Sequence, residues 1–422
     1  MVNLGLGLTL EAVIWLLLLA IVVAAVTKRL AVPYTVALVV VGLGLGYAYH
    51  KGFTGIGHEI NLTPTSIFVL FLPPLLFQAA IEIPWRGLRR NLWHVLALAV
   101  GGVMLNLYLV GWGVRLVLGV PLSVALVFGA IVAATDPTAV VALFRDLRVD
   151  RRLTLLIEAE SLLNDGVAAT VFLVVTAAAI GPHSTPGGAV ILFIRQALGG
   201  VACGAILGWL MGIVTGHVDD VLIETSLTLV LAYGSYLVAE RLGLSGMLSV
   251  VSAGIMVGNY GLPSKVHPEI RDSIEQFWQF ASFLANSLLF LLIGFKAVSL
   301  ARLFEWPADL ALTGIILLCR AIVVFTVVST TRVVSEKIPL KWHAVLTWGG
   351  LRGAVSIALA LGLPADLPDR QRILGWVYAT TMITLLVQGP TVRYLIQWFK
   401  IPCAQKPSPP TRPAAPPPDD EE

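Results

Sequence analysis

Apolar stretches of about twenty residues recur along nearly the whole chain, each long enough to cross a hydrocarbon core as a helix. A soluble chain of 422 residues would set such segments in polar surface, yet only 13% of these residues are charged and 57% are hydrophobic. Soluble domains carry about 25% charged residues, and a mean hydropathy of +0.87 leaves too little polar material for that class. The chain is expected to be an all-α polytopic membrane protein. Cys203, Cys319 and Cys403 suggest neither a disulfide framework nor a cysteine metal site. A net charge of +3 is too small to point to nucleic acid.

Spans are expected near 10–27, 33–49, 63–83, 92–118, 122–144, 153–180, 189–215, 221–239, 243–260, 275–295, 308–331, 342–363 and 372–398. These make about 13 transmembrane helices in one membrane transporter domain over residues 1–400. The first reads as a span and not a leader, because its basic pair Lys28-Arg29 follows the apolar run. With the N-terminus outside, basic residues favour the cytoplasmic connections by more than two to one. Arg195, Arg320, Arg352 and Arg393 fall inside spans. The expected location is a plasma membrane, of the prokaryotic inner-membrane kind, with the C-terminus in the cytoplasm. Residues 401–422 are Pro-rich, end in Asp-Asp-Glu-Glu and read as a short disordered cytoplasmic tail.

Two spans carry helix breakers. The fifth reads GAIVAATDPTAVVALF, where Pro137 removes a backbone donor and should break the helix near Thr135-Asp136. The twelfth reads TWGGLRGAVSIALALG, with Gly349, Gly350 and Gly353 clustered around Arg352. An odd offset between the two sends them into the membrane from opposite sides. Residues of about 10–180 and 221–398 would then form two inverted repeats with crossing interrupted helices. Paired interruptions at corresponding positions point to a transporter's midplane site. This repeat rests on position alone, without residue-level similarity between the halves.

Ionisable groups inside spans are costly and are functional candidates by default. The sixth span concentrates them in LIEAESLLNDGVAATVF. Glu158, Ser161 and Asp165 share one helical face there, with Glu160 and Asn164 on an adjacent one. Thr135 and Asp136 come from the break in the fifth span, where freed carbonyls add possible ligands. Carboxylate, hydroxyl, amide and carbonyl oxygens suit a hard monovalent cation. Asp165 is the first choice for the binding group, with Ser161 and Thr135 as co-ligands. A carboxylate that binds the ion also binds a proton, and competition for it would couple two fluxes. Glu160 is read as a buried ion pair with Arg320, since each otherwise lacks a partner in lipid. Asp136 could carry ions, neutralise helix ends at the crossover, or pair with Arg352. Arg352 reads as a fixed counter-charge, Arg195 as a snorkelling or structurally paired residue, and Glu158 has no evident partner. Ser161 and Asn164 are favoured as ligands over packing glue.

FLPPLLF at 71–77, ATDPTAVV at 134–141, EAESLLNDGVA at 158–168 and GGLRGAVSIALAL at 349–361 carry a resemblance. In that order they resemble the monovalent cation:proton antiporters of the NhaP type, which include the animal sodium/proton exchangers. The resemblance reaches to about residue 400. It implies a 13-helix fold with dimerisation and mobile core domains, a homodimer, and elevator-like alternating access. Na+, with Li+ or K+ possible, would exchange for H+ without a cofactor. Asp165 matches the ion- and proton-binding carboxylate, surrounded by Thr135, Asp136, Ser161 and Asn164. Glu160 and Arg320 match a stabilising ion pair. Asn164 stands where electrogenic relatives carry a second aspartate, which implies electroneutral one-for-one exchange. Gln78 departs from members with an acidic residue there, and the lost charge bears on ion selectivity or pH dependence.

A cation channel and an intramembrane aspartyl protease are the competing classes. A channel needs a continuous polar pathway, whereas polar residues here gather at two crossing helices. A protease dyad would use Asp136 and Asp165, but the contexts are TDP and NDG, not GxGD. None of the seven histidines lies in the sixth span to serve Ser161 as a base. No enzymatic activity is expected.

Overall fold

The computed structural model describes residues 10–30, 33–52, 63–64, 66–180, 186–215, 220–261, 267–331 and 338–401. The tail beyond residue 401 lies outside the described residues. No β-strand occurs among them, as expected for an all-α membrane protein. Eight helices are long and apolar enough to cross a membrane, and three apolar helices are shorter.

In chain order, α1 is Leu10–Leu30 and α2 is Tyr34–His50. A wide π-turn, Ser66–Phe71, runs into α3 (Leu72–Glu82), whose first turn accepts Pro73 and Pro74 because no helical donor is needed there. Next, α4 (Trp85–Leu96) continues through a second π-turn, Ala97–Gly102, into α5 (Val103–Leu118). Gly119 stops α5 in the left-handed region at φ +66°, its N–H reaching back to Arg115 O at 2.9 Å. Then come α6 (Leu122–Ile131), α7 (Thr138–Leu147), α8 (Arg151–Ile180), α9 (Pro186–Val214) and α10 (Val221–Arg241). Asp220 caps α10 by accepting from the N–H groups of Leu222 and Ile223, each at 2.9 Å. The second half holds α11 (Gly246–Met256), α12 (Pro268–Leu300), α13 (Trp306–Thr331), α14 (Leu340–Trp348) and α15 (Ala354–Leu361). Lastly, α16 (Arg370–Ile383) passes through a π-turn, Thr384–Gln388, into α17 (Gly389–Trp398).

Some helices start earlier than hydropathy suggests. The α4 helix begins at Trp85 and α12 at Pro268, where spans were expected near 92 and 275. On α4, Arg86, Arg89 and Arg90 are exposed while Leu88, Asn91 and His94 turn inward. On α12, Arg271 pairs with Glu275 one turn on, at 2.8 Å. Apolarity marks the lipid-embedded length of a helix, whereas the helix itself continues wherever one face can pack.

The helices pack as two sets. In the first, α12 lies along α2 and α3, and α11 packs on α3, α9 and α10. In the second, α5 packs on α6 and α13, α8 on α4 and α6, and α15 on α16. Helix α7 joins the second set through α8 and α17, and the sets meet where α8 contacts α3, α9 and α11, where α12 contacts α15 and α16, and where α7 touches α2. The α2–α12 seam is close: a Cβ on Gly42 would overlap Leu291 O, and one on Gly294 would overlap Val39 O. Helices in lipid gain cohesion from such close contact between small residues.

Candidate functional site

Helix α6 ends at Ile131 and α7 starts at Thr138, so Thr135 and Asp136 sit in a non-helical gap ahead of Pro137. Helix α14 ends at Trp348 and α15 starts at Ala354, which leaves the glycine-rich GGLRG segment non-helical. Non-helical backbone at membrane depth needs protein partners, and each gap supplies the other's. Asp136 N–H donates to Leu351 O at 2.8 Å. The Arg352 guanidinium donates to Ala134 O at 3.2 Å, and Ser356 Oγ donates to Ile131 O at 2.9 Å. Asp136 Oδ1 accepts from Thr138 N–H at 3.0 Å, placing a carboxylate at the positive N-terminal end of α7.

Helix α8 runs past this junction and clamps it. Asn164 Oδ1 accepts from Thr135 N–H at 3.2 Å, and Asn164 Nδ2 donates to Thr135 Oγ1 at 2.7 Å and to Glu160 Oε1 at 3.1 Å. Ser161 Oγ donates to Thr135 O. Both amide hydrogens of Asn164 are therefore used, while Ser161 keeps its oxygen lone pairs free. Glu160 meets Arg320 of α13 in a two-pronged pair, Nη1–Oε1 at 2.9 Å and Nη2–Oε2 at 3.1 Å. Their side chains are 3% and 8% exposed, so the pair is buried. Arg320 also donates to Leu346 O at 3.3 Å, which ties α14 to α13 and α8.

A cavity of about 280 Å³ opens beside this clamp. Asp165, Ser161, Thr135 and Asp136 line one side, and Gln78 of α3 with Ser282 and Asn286 of α12 line the other. Asp165 Oδ1 is buried with no hydrogen-bond partner among the described residues. An unpartnered carboxylate oxygen on a cavity wall is a place for a proton or a cation. Among the described residues, no cluster of three or more His, Cys, Asp or Glu side chains gathers as a divalent or transition-metal site would require. The donors that do converge are hydroxyl, carboxylate and carbonyl oxygens, a set suited to a hard cation carried as cargo.

The chain matches the family described as "Sodium/hydrogen exchanger, transmembrane" over residues 16–398. It belongs to that family. Its similarity to the Na(+)/H(+) antiporter ApNhaP of Aphanothece halophytica is 40% identity over 370 residues, covering 87% of this chain and 69% of the other. The low-affinity Na(+)/H(+) antiporter NhaS1 of Synechocystis is 36% identical over 407 residues, covering 94% and 76%. The solved structure of the sodium proton antiporter MjNhaP1 from Methanocaldococcus jannaschii superposes with a TM-score of 0.72 at 22% identity, covering 92% and 97%. The resemblance stated from the motifs is thus a family membership, and the protein is a multi-pass membrane protein.

Other residues singled out in this exchanger fall into distinct settings. Glu158 has a partner after all: Arg145 Nη2 lies 2.9 Å from its Oε1. The expectation of an unpaired Glu158 fails because Arg145 ends the preceding helix, and the turn between α7 and α8 folds it back. Asp136 and Arg352 form no ion pair among the described residues; each instead serves backbone at the crossing. Arg352 is buried, with Nε and Nη2 unpartnered. Arg195 is exposed on α9, away from the cavity. Gln78 Oε1 faces Ser282 Oγ at 3.5 Å. Sequence reasoning missed Arg145, Ser282 and Asn286. The one available signal was polar spacing on α12, where Ser282 and Asn286 stand four apart in an apolar run.

Proposed function

We propose that this exchanger carries Na+, or alternatively Li+ or K+, across a membrane in exchange for H+, with both species competing for Asp165. The observation that carries the reading is the buried, unpartnered Oδ1 of Asp165 on the wall of the cavity, beside Ser161 and the broken segment at Thr135. The names of the relatives as Na(+)/H(+) antiporters support the same reading. Ser161 Oγ and the Thr135 carbonyl supply further oxygens, with Asp136 beside them. Asn164, its amide occupied by Thr135 and Glu160, acts by holding the broken segment in place. Glu160 and Arg320 keep the surrounding helices together.

Eight long helices, the passes through α2, α3 and α11, and the two interrupted passes α6–α7 and α14–α15 would give thirteen spans. Paired breaks in the fifth and twelfth of these support two inverted repeats. The two packed sets of helices support an elevator-like movement, in which the set holding α8 slides along the set holding α3 and α12. We extend the reading to a homodimer in a plasma membrane, N-terminus outside and C-terminus cytoplasmic, with residues 1–400 as the transporter and 401–422 as a tail. One titrating carboxylate exchanging one proton for one monovalent ion is electroneutral, and a turnover rate that follows an imposed voltage would overturn that.

The test uses sealed vesicles with an imposed pH gradient. Addition of Na+, Li+ or K+ should collapse the gradient in the wild type. Asp165→Asn, folded and correctly inserted, should leave it standing. Retained exchange in that variant would remove Asp165 from its role.

A further inference from the structure

Arg145, in the last turn of α7, lies at the rim of the Asp165 cavity with its side chain 54% exposed. Its Nη2 stands 2.9 Å from Glu158 Oε1 on α8 and 2.9 Å from Glu82 Oε2 on α3. The two contacts differ in kind. Helices α7 and α8 are consecutive and joined by a short turn, so the Glu158 contact is local. Glu82 belongs to the set containing α3, α11 and α12, whereas α7 packs on α8 and α17 and touches the first set at α2, so the contact between Glu82 and Arg145 crosses from one packed set to the other.

Glu82 is also badly placed for its own helix. It is the last residue of α3, where the exposed carbonyls carry partial negative charge and an acidic side chain is disfavoured. Its stabilising partners come from outside that helix: Arg145 at one oxygen and Gln279 of α12 at the other, 3.2 Å away. Gln279 ties Glu82 to the α3–α12 set, so of its two contacts the bond to Arg145 is the one that spans the two sets.

We propose that the Glu82–Arg145 pair is a latch between the two sets of helices, which favours the arrangement in which the Asp165 cavity opens at the α7–α8 turn and parts in every transport cycle. This rests on the exchange-by-sliding reading above. Glu158 is the keeper: it retains the guanidinium when Glu82 moves off, so no bare carboxylate pair is left at the mouth. Arg145 acts here as a positioning residue, not as an ion ligand. A partly exposed pair of this kind shifts a two-state balance by about two- to five-fold.

Two measurements on the full chain in proteoliposomes test it, in a background with Cys203, Cys319 and Cys403 replaced by Ser. In the first, Ala142→Cys, on the cavity wall, reports access to an impermeant thiol reagent from the α7–α8 side. Glu82→Gln, which removes only the contact between sets, should slow labelling about two- to five-fold. Glu82→Arg should slow it more, and Glu82→Arg with Arg145→Glu should restore it. Equal labelling rates in all four proteins would overturn the latch. In the second, Glu82→Cys with Arg145→Cys is joined by a short reducible bis-thiosulfonate reagent. Exchange should stop, cation binding should persist, and reduction should restore transport. A joined protein that exchanges at its unjoined rate would overturn the claim that the contact parts. Absence of exchange in the wild type would remove the functional reading and the latch together. Exchange in the wild type with uniform labelling and an active joined protein would remove the latch alone.

Discussion

The backbone N–H of Asp136 donates to the carbonyl of Leu351 over 2.8 Å, joining the two interrupted segments main chain to main chain. This approach is possible because Gly353 has no side chain. A Cβ there would overlap Oδ2, Cγ and Cβ of Asp136, all closer than any real contact. Gly353→Ala must push the gaps apart and displace Asp136 relative to Asp165. A shift of about 1 Å in a positioned group can cost on the order of a hundredfold in rate. Vesicle exchange should fall by that order while the helical circular-dichroism signal persists; a rate within twofold of wild type would contradict the crossing described.

The Glu160–Arg320 pair predicts an asymmetry between single and double substitutions. Glu160→Ala or Arg320→Ala leaves one buried charge without its counter-ion, a loss of about 3–5 kcal/mol. Thermal unfolding in detergent should show each single variant strongly destabilised. Replacing both, with Glu160→Leu and Arg320→Met, should cost less than either alone, because apolar pairs of similar volume often match a buried ion pair. Additive losses in the double variant would mean that the two charges do not act as a unit.

Ser161 and Asn164 should separate in kinetics. Ser161→Ala removes a hydroxyl oxygen from the cavity wall but leaves the Asn164 clamp in place. The half-saturating Na+ concentration should rise several-fold with maximal rate largely kept. Asn164→Ala strips the acceptor from Thr135 N–H, and a buried donor left unpaired costs about 1–3 kcal/mol. Its signature should be lower thermal stability and lower maximal rate. The reverse assignment of these two signatures would exchange their roles.

Gln78→Glu places a carboxylate across the cavity from Asp165. Cation affinity should increase at alkaline pH, and the gain should shrink as pH falls and protons compete for the added group. Concentration series for Na+ at two pH values check this. An unchanged half-saturating concentration at both would show that Gln78 is too remote to sense the ion.

Much of this site is legible in the sequence. Pro137 lacks a donor and Gly349, Gly350 and Gly353 lack side chains, so both breaks announced themselves through local chemistry. The Glu160–Arg320 pairing follows from solvation alone, since two charges within membrane-spanning segments need each other. What escaped was contact between distant segments with no such forcing. Ser282 faces Gln78 across 204 positions of sequence, and a serine on an apolar helix gives no sign of which wall it serves. Glu158 has no evident partner in the sequence because Arg145 falls just past the expected fifth span of 122–144, whereas α7 continues to Leu147 and carries it to the rim. Helix starts at Trp85 and Pro268 were missed because hydropathy reports the lipid-facing length only.

The glycine seam between α2 and α12 reaches further than its own stability. With Gly42 and Gly294 set backbone against backbone, α12 has one angular setting about its axis, and any methyl group there would have to turn it. That angle aims Gln279 at Glu82 and turns Ser282 and Asn286 towards the Asp165 cavity. The compass bearing of this wall is therefore dictated further along the same helix, at a surface that does not line the cavity. Selectivity could drift through changes at such a seam while every oxygen around Asp165 stayed the same.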